Sequence, residues 1–381
     1  MRVDWTEEQD FLREAVAGVI TREASFAIVR GWTESGDLAP ADALAARQGW
    51  TGIGVDEEAG GQGGATLELA VLAEQLGYGA VPWDRTLAGC LVAPLLAAAG
   101  AEELAAATAE GEQVAVLAVD GRTPLSAMPR EARSTDRTPE LAGDAREATT
   151  LSPAALATVA GEHVKVAVRH VVGAPGAHTL VVPVAAGDDV ELYAIEAGAD
   201  GVSVRPRTFV DRTRSLADVE IDGEARLVGS VPSAAFAAAA GTAAVLIAAD
   251  ALGAATRALE LTTQYVGERK QFGVPVGSFQ AVKHAAAEML VDVEAARSAV
   301  MHAAWAVGAG EDDAMRHASI AKAVACAGAA RVADKALFLH GAVGYTWEHD
   351  LQFLFKRIKS DVQLFGSPDT HLDLLAAALL P

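Results

Sequence analysis

Cysteine is almost missing from this chain. Two occur in 381 residues, Cys90 and Cys326, far apart and outside any metal-ligand spacing. That excludes a disulfide framework and a thiolate zinc site. Positive charge is also in short supply: 30 Lys and Arg stand against 51 Asp and Glu, for a net charge of −21. Duplex nucleic acid is therefore a poor partner, because its phosphates need a basic face. A small anion remains possible where cations gather locally. Long apolar runs are lacking too. The longest, residues 234–249, is Ala-rich, interrupted by Gly241 and Thr242, and closed by Asp250. A bilayer span needs roughly 20 residues. The first residues, MRVDWTEEQD, contain no apolar signal core. These absences predict a cytoplasmic protein with no membrane span, in which the Ala run is a buried helix. What is present is apolar bulk. At 51% hydrophobic, the chain can bury a large core in two or three domains.

The texture changes twice along the chain. Residues 1–112 read as helical. Thr6 and Gln9 have capping-box spacing, and Phe11, Leu12, Ala15, Val16, Val19 and Ile20 form one apolar face. The glycine-rich EEAGGQGGAT (57–66) follows, then a helix through Leu67, Val71, Leu72 and Leu76. Its spacing fits neither a P-loop nor a dinucleotide fingerprint, so a tight turn is expected. Residues 113–230 hold short β-branched runs, VAVLAV, HVKVAVRHVVG, TLVVPVA, VELYAIE and GVSVRP, which predict an antiparallel sheet or small barrel. Within it, residues 121–153 read as a long polar loop. Residues 231–381 return to helix, with breaks near residues 266–278, 308–312 and 340–341. A last helix opens at Ser367-Pro368-Asp369, with Ser as cap and Pro at the first helical position.

One break stands out. Residues 268–280, ERKQFGVPVGSFQ, display charge and rings between Ala-rich helices. Pro275 cannot continue a helix, and Gly273 and Gly277 permit a tight bend. Arg269 and Lys270 precede the bend, and Ser278 is the expected cap of the helix that follows. A helix N-terminus carries about half a positive charge and free N–H groups. With an Arg fork for phosphate oxygens and Phe272 and Phe279 as flat walls, the corner suits a phosphate joined to an aromatic base. The residues alone equally allow surface cations and two Phe rings filling a helix seam.

The same residues carry a family likeness. TTQYVGERKQFGVPVGSFQAVKHAAAEML resembles the signature of FAD-dependent acyl-CoA dehydrogenases. LHGAVGYTWEHDLQFLFKR resembles their second C-terminal motif, GWTGIGVDEEAGGQGGATLELAVLAEQLG an N-terminal one, and DRTRSLADVEIDG the strand closing the middle domain. The resemblance implies an α+β multidomain fold: an N-terminal helical domain, a middle β-barrel and a C-terminal four-helix bundle. It also implies that the corner reaches FAD seated mainly in a neighbouring subunit. Arg269, Gln271, Phe272, Val276, Phe279 and Gln280 are the contacts it assigns, with Gly341 and Gly344 letting backbone approach. Phe338 and Ala342 depart from the family's Gln and Gly.

The implied reaction removes a proton from the α carbon of an acyl-CoA thioester and a hydride from the β carbon. The protein must supply a carboxylate base. Relatives keep it in one of two places, which here hold Gly366, in QLFGSPD, and Ala243, in GTAAV. Neither accepts a proton. Asp250 lies seven residues beyond Ala243. Asp361 and Asp369 flank Gly366 and read as a solvated charge and a helix-start residue. The flavin-ring motifs are eroded to AVDGRTPLS (118–126) and VRHVVGAP (168–175), leaving Thr123 and Ser126 as possible hydroxyls. The expectation is a base-less subunit of a heteromeric acyl-CoA dehydrogenase, of the actinobacterial kind that handles bulky or sterol-derived thioesters. Its expected partners are a base-bearing paralogue, the acyl-CoA, and an electron-transfer flavoprotein or similar acceptor. The alternatives are a homomeric enzyme with a relocated base and a flavin-free CoA-ester-binding scaffold.

Overall fold

The computed structural model describes residues 6–124 and 157–380. Ser126 and most of the expected 121–153 loop lie outside them. The N-terminal helices are α1 (Glu7–Glu23), α2 (Phe26–Ser35), α3 (Ala39–Arg47), α4 (Thr66–Tyr78), α5 (Asp84–Ala98) and α6 (Glu102–Ala109). Thr6 caps α1 in a capping box with Gln9, as the spacing predicts. The glycine stretch is a turn, with Gly60, Gly63 and Gly64 at positive φ.

The β region consists of β1 (Ala115–Leu117), β2 (Thr158–Ala160), β3 (His163–Val172), β4 (Thr179–Ala186), β5 (Asp189–Glu196), β6 (Val202–Pro206), β7 (Leu216–Glu224) and β8 (Arg226–Pro232). The expected barrel takes the form of two four-stranded sheets, ordered β1-β4-β5-β8 and β2-β3-β7-β6. All pairs are antiparallel except β1 with β4, which is parallel. Alternation does the folding: β3 buries Val164, Val166 and Val168 and exposes Lys165, Ala167 and Arg169. Those Val side chains join Leu180, Val182, Ile195, Val219 and Ile221 in one apolar cluster.

The C-terminal helices are α7 (Ser233–Glu268), α8 (Gln280–Ala309), α9 (Ala314–His340), α10 (Leu351–Asp361) and α11 (Pro368–Leu379). Ser367 caps α11 through its hydroxyl, which accepts from the Thr370 N–H. Between α7 and α8 lies a hairpin of β9 (Lys270–Gln271) and β10 (Val274–Pro275). The Ala run is the N-terminal half of α7, and from Ala243 onward it is buried. Its small residues matter. A Cβ on Gly253 would lie 1.8 Å from Glu74 O, and one on Gly77 would lie 2.1 Å from Asp250 O. Glycine at both positions lets α4 and α7 meet backbone to backbone, joining the two helical regions in one core.

A buried ionic hub joins all three regions. Arg214, just ahead of β7, places Nη1 2.6 Å from Asp84 Oδ1 on α5 and Nη2 2.7 Å from Asp250 Oδ2 on α7. Nη2 also bonds Asp361 at the end of α10. These side chains are essentially inaccessible. Trp83 Nε1 donates to Asp250 at 2.7 Å, and Ser215 N to Asp84 at 2.6 Å. Removing one partner from such a buried set costs about 3–5 kcal/mol, because the others are left uncompensated.

Candidate functional site

The corner comes first. Arg269 ends α7, and its N–H donates to Tyr265 O at 2.8 Å. Val276 N–H donates back to Arg269 O at 2.7 Å, closing the hairpin. The turn needs left-handed backbone at two successive residues, Phe272 (φ 53°) and Gly273 (φ 81°). Gly273 adopts this freely; Phe272 does so at a cost. That conformation turns Phe272 outward, 94% exposed, with its ring edge-on to Phe279 at 6.3 Å. Gln271 and Gln280 are exposed beside it, and Val276 is half-buried.

Arg269 and Lys270 are exposed, and neither side chain has an ion pair or hydrogen-bond partner among the described residues. In a chain of net charge −21, two adjacent unpaired cations make a local positive pole. Ser278 is not the cap of α8. Its hydroxyl donates to Pro275 O at 2.7 Å, and Phe279 is the N-cap residue, with no side-chain cap. The expected cap is thus absorbed by the turn, and the helix start is left uncapped.

The second motif lies against the same end of α7. His340, the last residue of α9, stacks on Tyr265 at 4.5 Å and meets His349 edge-on at 4.8 Å. Gly341 is exposed at φ 61°. Gly344 is buried, and a Cβ there would lie 2.9 Å from His340 Cβ. Phe338 is 81% exposed. The second motif thus meets the C-terminal end of α7 through the Tyr265–His340 stack. Trp347 to Asp350 fasten this loop to α2: Arg30 donates to the carbonyls of Trp347 and Glu348 and pairs with Asp350 at 2.8 Å. Sequence reading missed Arg30, which carries no local signal.

The two base positions tell a different story. Ala243 is completely buried in α7. Gly366 is buried at φ 96°, a conformation that favours glycine. A Cβ there would lie 2.7 Å from Pro124 Cγ and 3.0 Å from His371 Nε2. Asp250 is tied to Arg214 and Trp83. Asp361 is a correction: it is fully buried in the hub rather than solvated, because Arg214 draws it inward. Burial and the Asp250 carboxylate push its carboxyl well above the usual range. Lys322, also fully buried, donates to Asp361 O at 2.9 Å and Gly366 O at 2.7 Å, so the loop is pinned. Asp369 is exposed in the first turn of α11, as read from the sequence.

The two eroded flavin motifs do meet. A Cβ on Gly121 would lie 2.4 Å from His170 O. Thr123 turns its hydroxyl to Asp120 O at 3.1 Å. The Gly366 loop closes directly on this segment: Phe365 N–H donates to Gly121 O at 2.7 Å, and Pro124 abuts Gly366. Two cavities lie beside the contact. One, about 310 Å³, is lined by Arg122, His170, Phe209, Phe355 and Leu364. The other, about 230 Å³, lies among α7, α9 and α11. By resemblance, a resident flavin and its substrate need one continuous space between these segments. Among the described residues, these two segments touch each other there. At the corner the fit is good: unpaired cations, an uncapped helix start and an exposed ring suit a dinucleotide's phosphates and base.

The comparisons agree with this architecture. The family model for the acyl-CoA dehydrogenase N-terminal domain matches residues 6–109, and that for the acyl-CoA dehydrogenase C-terminal domain matches residues 235–380. Acyl-CoA dehydrogenase IpdE2 of Mycolicibacterium smegmatis is 32% identical over 98% of this chain and 99% of its own length. The ChsE4-ChsE5 complex from Mycobacterium tuberculosis superimposes with a TM-score of 0.81 at 24% identity, covering 100% of both chains. The Tcur3481-Tcur3483 steroid ACAD gives 0.77 at 24% identity, covering 97% of both. A likeness that spans both terminal domains and nearly every residue leaves one assignment: this chain belongs to the acyl-CoA dehydrogenase family.

Proposed function

We propose that this chain is the silent subunit of a heteromeric acyl-CoA dehydrogenase that desaturates a bulky, sterol-derived acyl-CoA between its α and β carbons. A base-bearing paralogue supplies the carboxylate and the main seat of FAD. The present chain supplies the corner: Arg269 for the pyrophosphate, the exposed Phe272 and Phe279 rings, Gln271 and Gln280 as hydrogen-bonding amides, and Gly341 and Gly344 for close backbone approach. FAD, when bound, accepts the hydride, and an electron-transfer flavoprotein or similar acceptor takes the electrons onward. Residues 1–112, 113–230 and 231–381 serve as the three domains.

One observation carries the reading. Gly366 stands in left-handed backbone with Pro124 and His371 filling the space beside it. A Glu there would need the loop rebuilt, so the absent base is built into the fold rather than a single changed letter. The exposed corner adds support from the other side, since its cations have no side-chain partner among the described residues. Two of the structural neighbours are paired chains by name, and one of those is a steroid enzyme.

Flavin content tests the proposal. The chain is purified alone and co-expressed with a base-bearing paralogue, and bound FAD per chain is measured with acyl-CoA-dependent bleaching. FAD only in the mixed complex is expected. A yellow chain that bleaches on its own would establish the homomeric alternative. A mixed complex without flavin would establish a scaffold.

A further inference from the structure

The face of α2 that meets the second motif does more than close the fold. We propose that Arg30 and Glu34 are positioning residues for the cofactor: through Trp347 they fix the backbone of Gly341–Tyr345, so the N-terminal helices govern how tightly the corner keeps its dinucleotide. The proposal rests on the preceding reading for the identity of that ligand.

The segment between α9 and α10 cannot place itself. Gly341–Tyr345 is one short 3-10 turn, and residues 346–350 form no helix or strand. Its own backbone bonds are local: Thr346 N–H donates to Val343 O at 3.1 Å, and His349 N–H to Thr346 O at 3.3 Å. Such bonds shape a turn and leave its position to outside contacts. At the front, His340 stacks on Tyr265 of α7. At the rear, the contacts come from α2.

Phe26, Arg30 and Glu34 follow one another at four-residue spacing, which puts them on one face of α2. Phe26 stacks on Phe353 of α10 at 6.2 Å, and the Arg30 guanidinium lies over the same ring at 4.9 Å. That guanidinium donates to two successive carbonyls, Trp347 O and Glu348 O, and to Asp350 Oδ1 at 2.8 Å. Glu34 Oε1 accepts from Trp347 Nε1 at 3.0 Å. One helix therefore grips Trp347 by both its backbone and its ring. Arg212, ahead of β7, and Lys356, on α10, lie over the indole at 5.4 and 4.5 Å. Each cation is attracted to the ring face. All three regions of the chain converge on this one side chain.

The chemistry of the grip sets its role. A partly exposed ion pair alone is worth little. Arg30 instead spends its planar fork on main-chain oxygens, which fixes orientation as well as position. The residues it steadies make that matter. Gly341 and Gly344 have no side chain that could reach further if the turn drifted. Whether their backbone meets the cofactor depends only on where the turn is held.

Hydrogen exchange and FAD titration test the proposal. In the full chain alone, Arg30→Ala should speed exchange of the amides at 341–350 at least tenfold, while those of α7 and α8 keep wild-type rates. In the mixed complex, the FAD dissociation constant should rise about tenfold, the effect of one or two neutral hydrogen bonds. Glu34→Ala, at an exposed position, should raise it about threefold, and it makes the same test if Arg30→Ala fails to fold. Because both residues grip Trp347, the double variant should be little weaker than Arg30→Ala. Wild-type exchange at 341–350, exchange accelerated throughout the chain, or wild-type FAD affinity in a folded variant would overturn the proposal. The exchange outcomes are read without flavin, so they fail separately from the silent-subunit reading, which the FAD content of the unmutated complex decides.

Discussion

Arg214 and Arg269 are the same residue in opposite circumstances. Arg214 is sealed from water, and Asp84, Asp211, Asp250 and Asp361 surround it. Burial opposes its charge, and the four carboxylates outweigh that. Arg269 sits at an exposed bend, and its side chain has no partner among the described residues. The contrast teaches where each charge is answered. The hub's cation is satisfied by the chain and holds the fold together. The corner's cation is answered, on our reading, by an anion from outside, so it contributes to assembly and not to folding.

The comparison can be broken most violently at the hub. Arg214→Met should leave Asp84 and Asp211 buried without their ion-pair partner and cost about 3–5 kcal/mol. Chemical denaturation should show a chain that is unfolded or nearly so. A midpoint like the wild type's would mean the hub is wetter and weaker than its burial indicates. The hub's members should also differ among themselves. Asp361 is pushed toward its protonated form by burial and Asp250, whereas Asp84 takes both Arg214 and the Ser215 N–H. Asp84→Asn should therefore lower the unfolding midpoint clearly more than Asp361→Asn.

His371 sharpens the picture by pH. Its folded value of about 4 lies below the ordinary 6.5. Between the two, the unfolded chain binds a proton that the folded chain refuses. Its stabilising contribution is complete above pH 6.5 and falls away as pH drops toward 4, by up to about 3 kcal/mol. His371→Gln should flatten that part of a stability–pH profile. A profile unchanged by the substitution would show that the imidazole titrates normally. Gly366→Glu tests the closed site next. Left-handed backbone alone costs a non-glycine residue about 1–3 kcal/mol, and Pro124 adds a steric clash. The variant should be destabilised and still inactive with acyl-CoA when purified alone. Recovered dehydrogenation would mean that one residue, and not the fold, had silenced the site.

How much of this was legible beforehand depended on distance along the chain. The Thr6 and Ser367 caps were readable because a cap is decided within four residues. The Ala run announced a buried helix by composition. Ser278 misled, because a serine before a helix looks like a cap whether or not a nearer carbonyl takes its hydroxyl. The hub was invisible: Arg214 meets Asp361 across 147 positions, and no local pattern marks either residue. That Gly366 and Ala243 stand where relatives keep the base was readable through family motifs. The packing of Pro124 and His371 against Gly366 was not, since it depends on how three distant segments meet.

The most direct test of the central claim is Arg269→Ala in the mixed complex. An exposed substitution without a partner should leave the chain's unfolding midpoint within about 0.5 kcal/mol of wild type. The complex should assemble and lose most of its FAD. Full flavin occupancy in an intact Arg269→Ala complex would contradict the account.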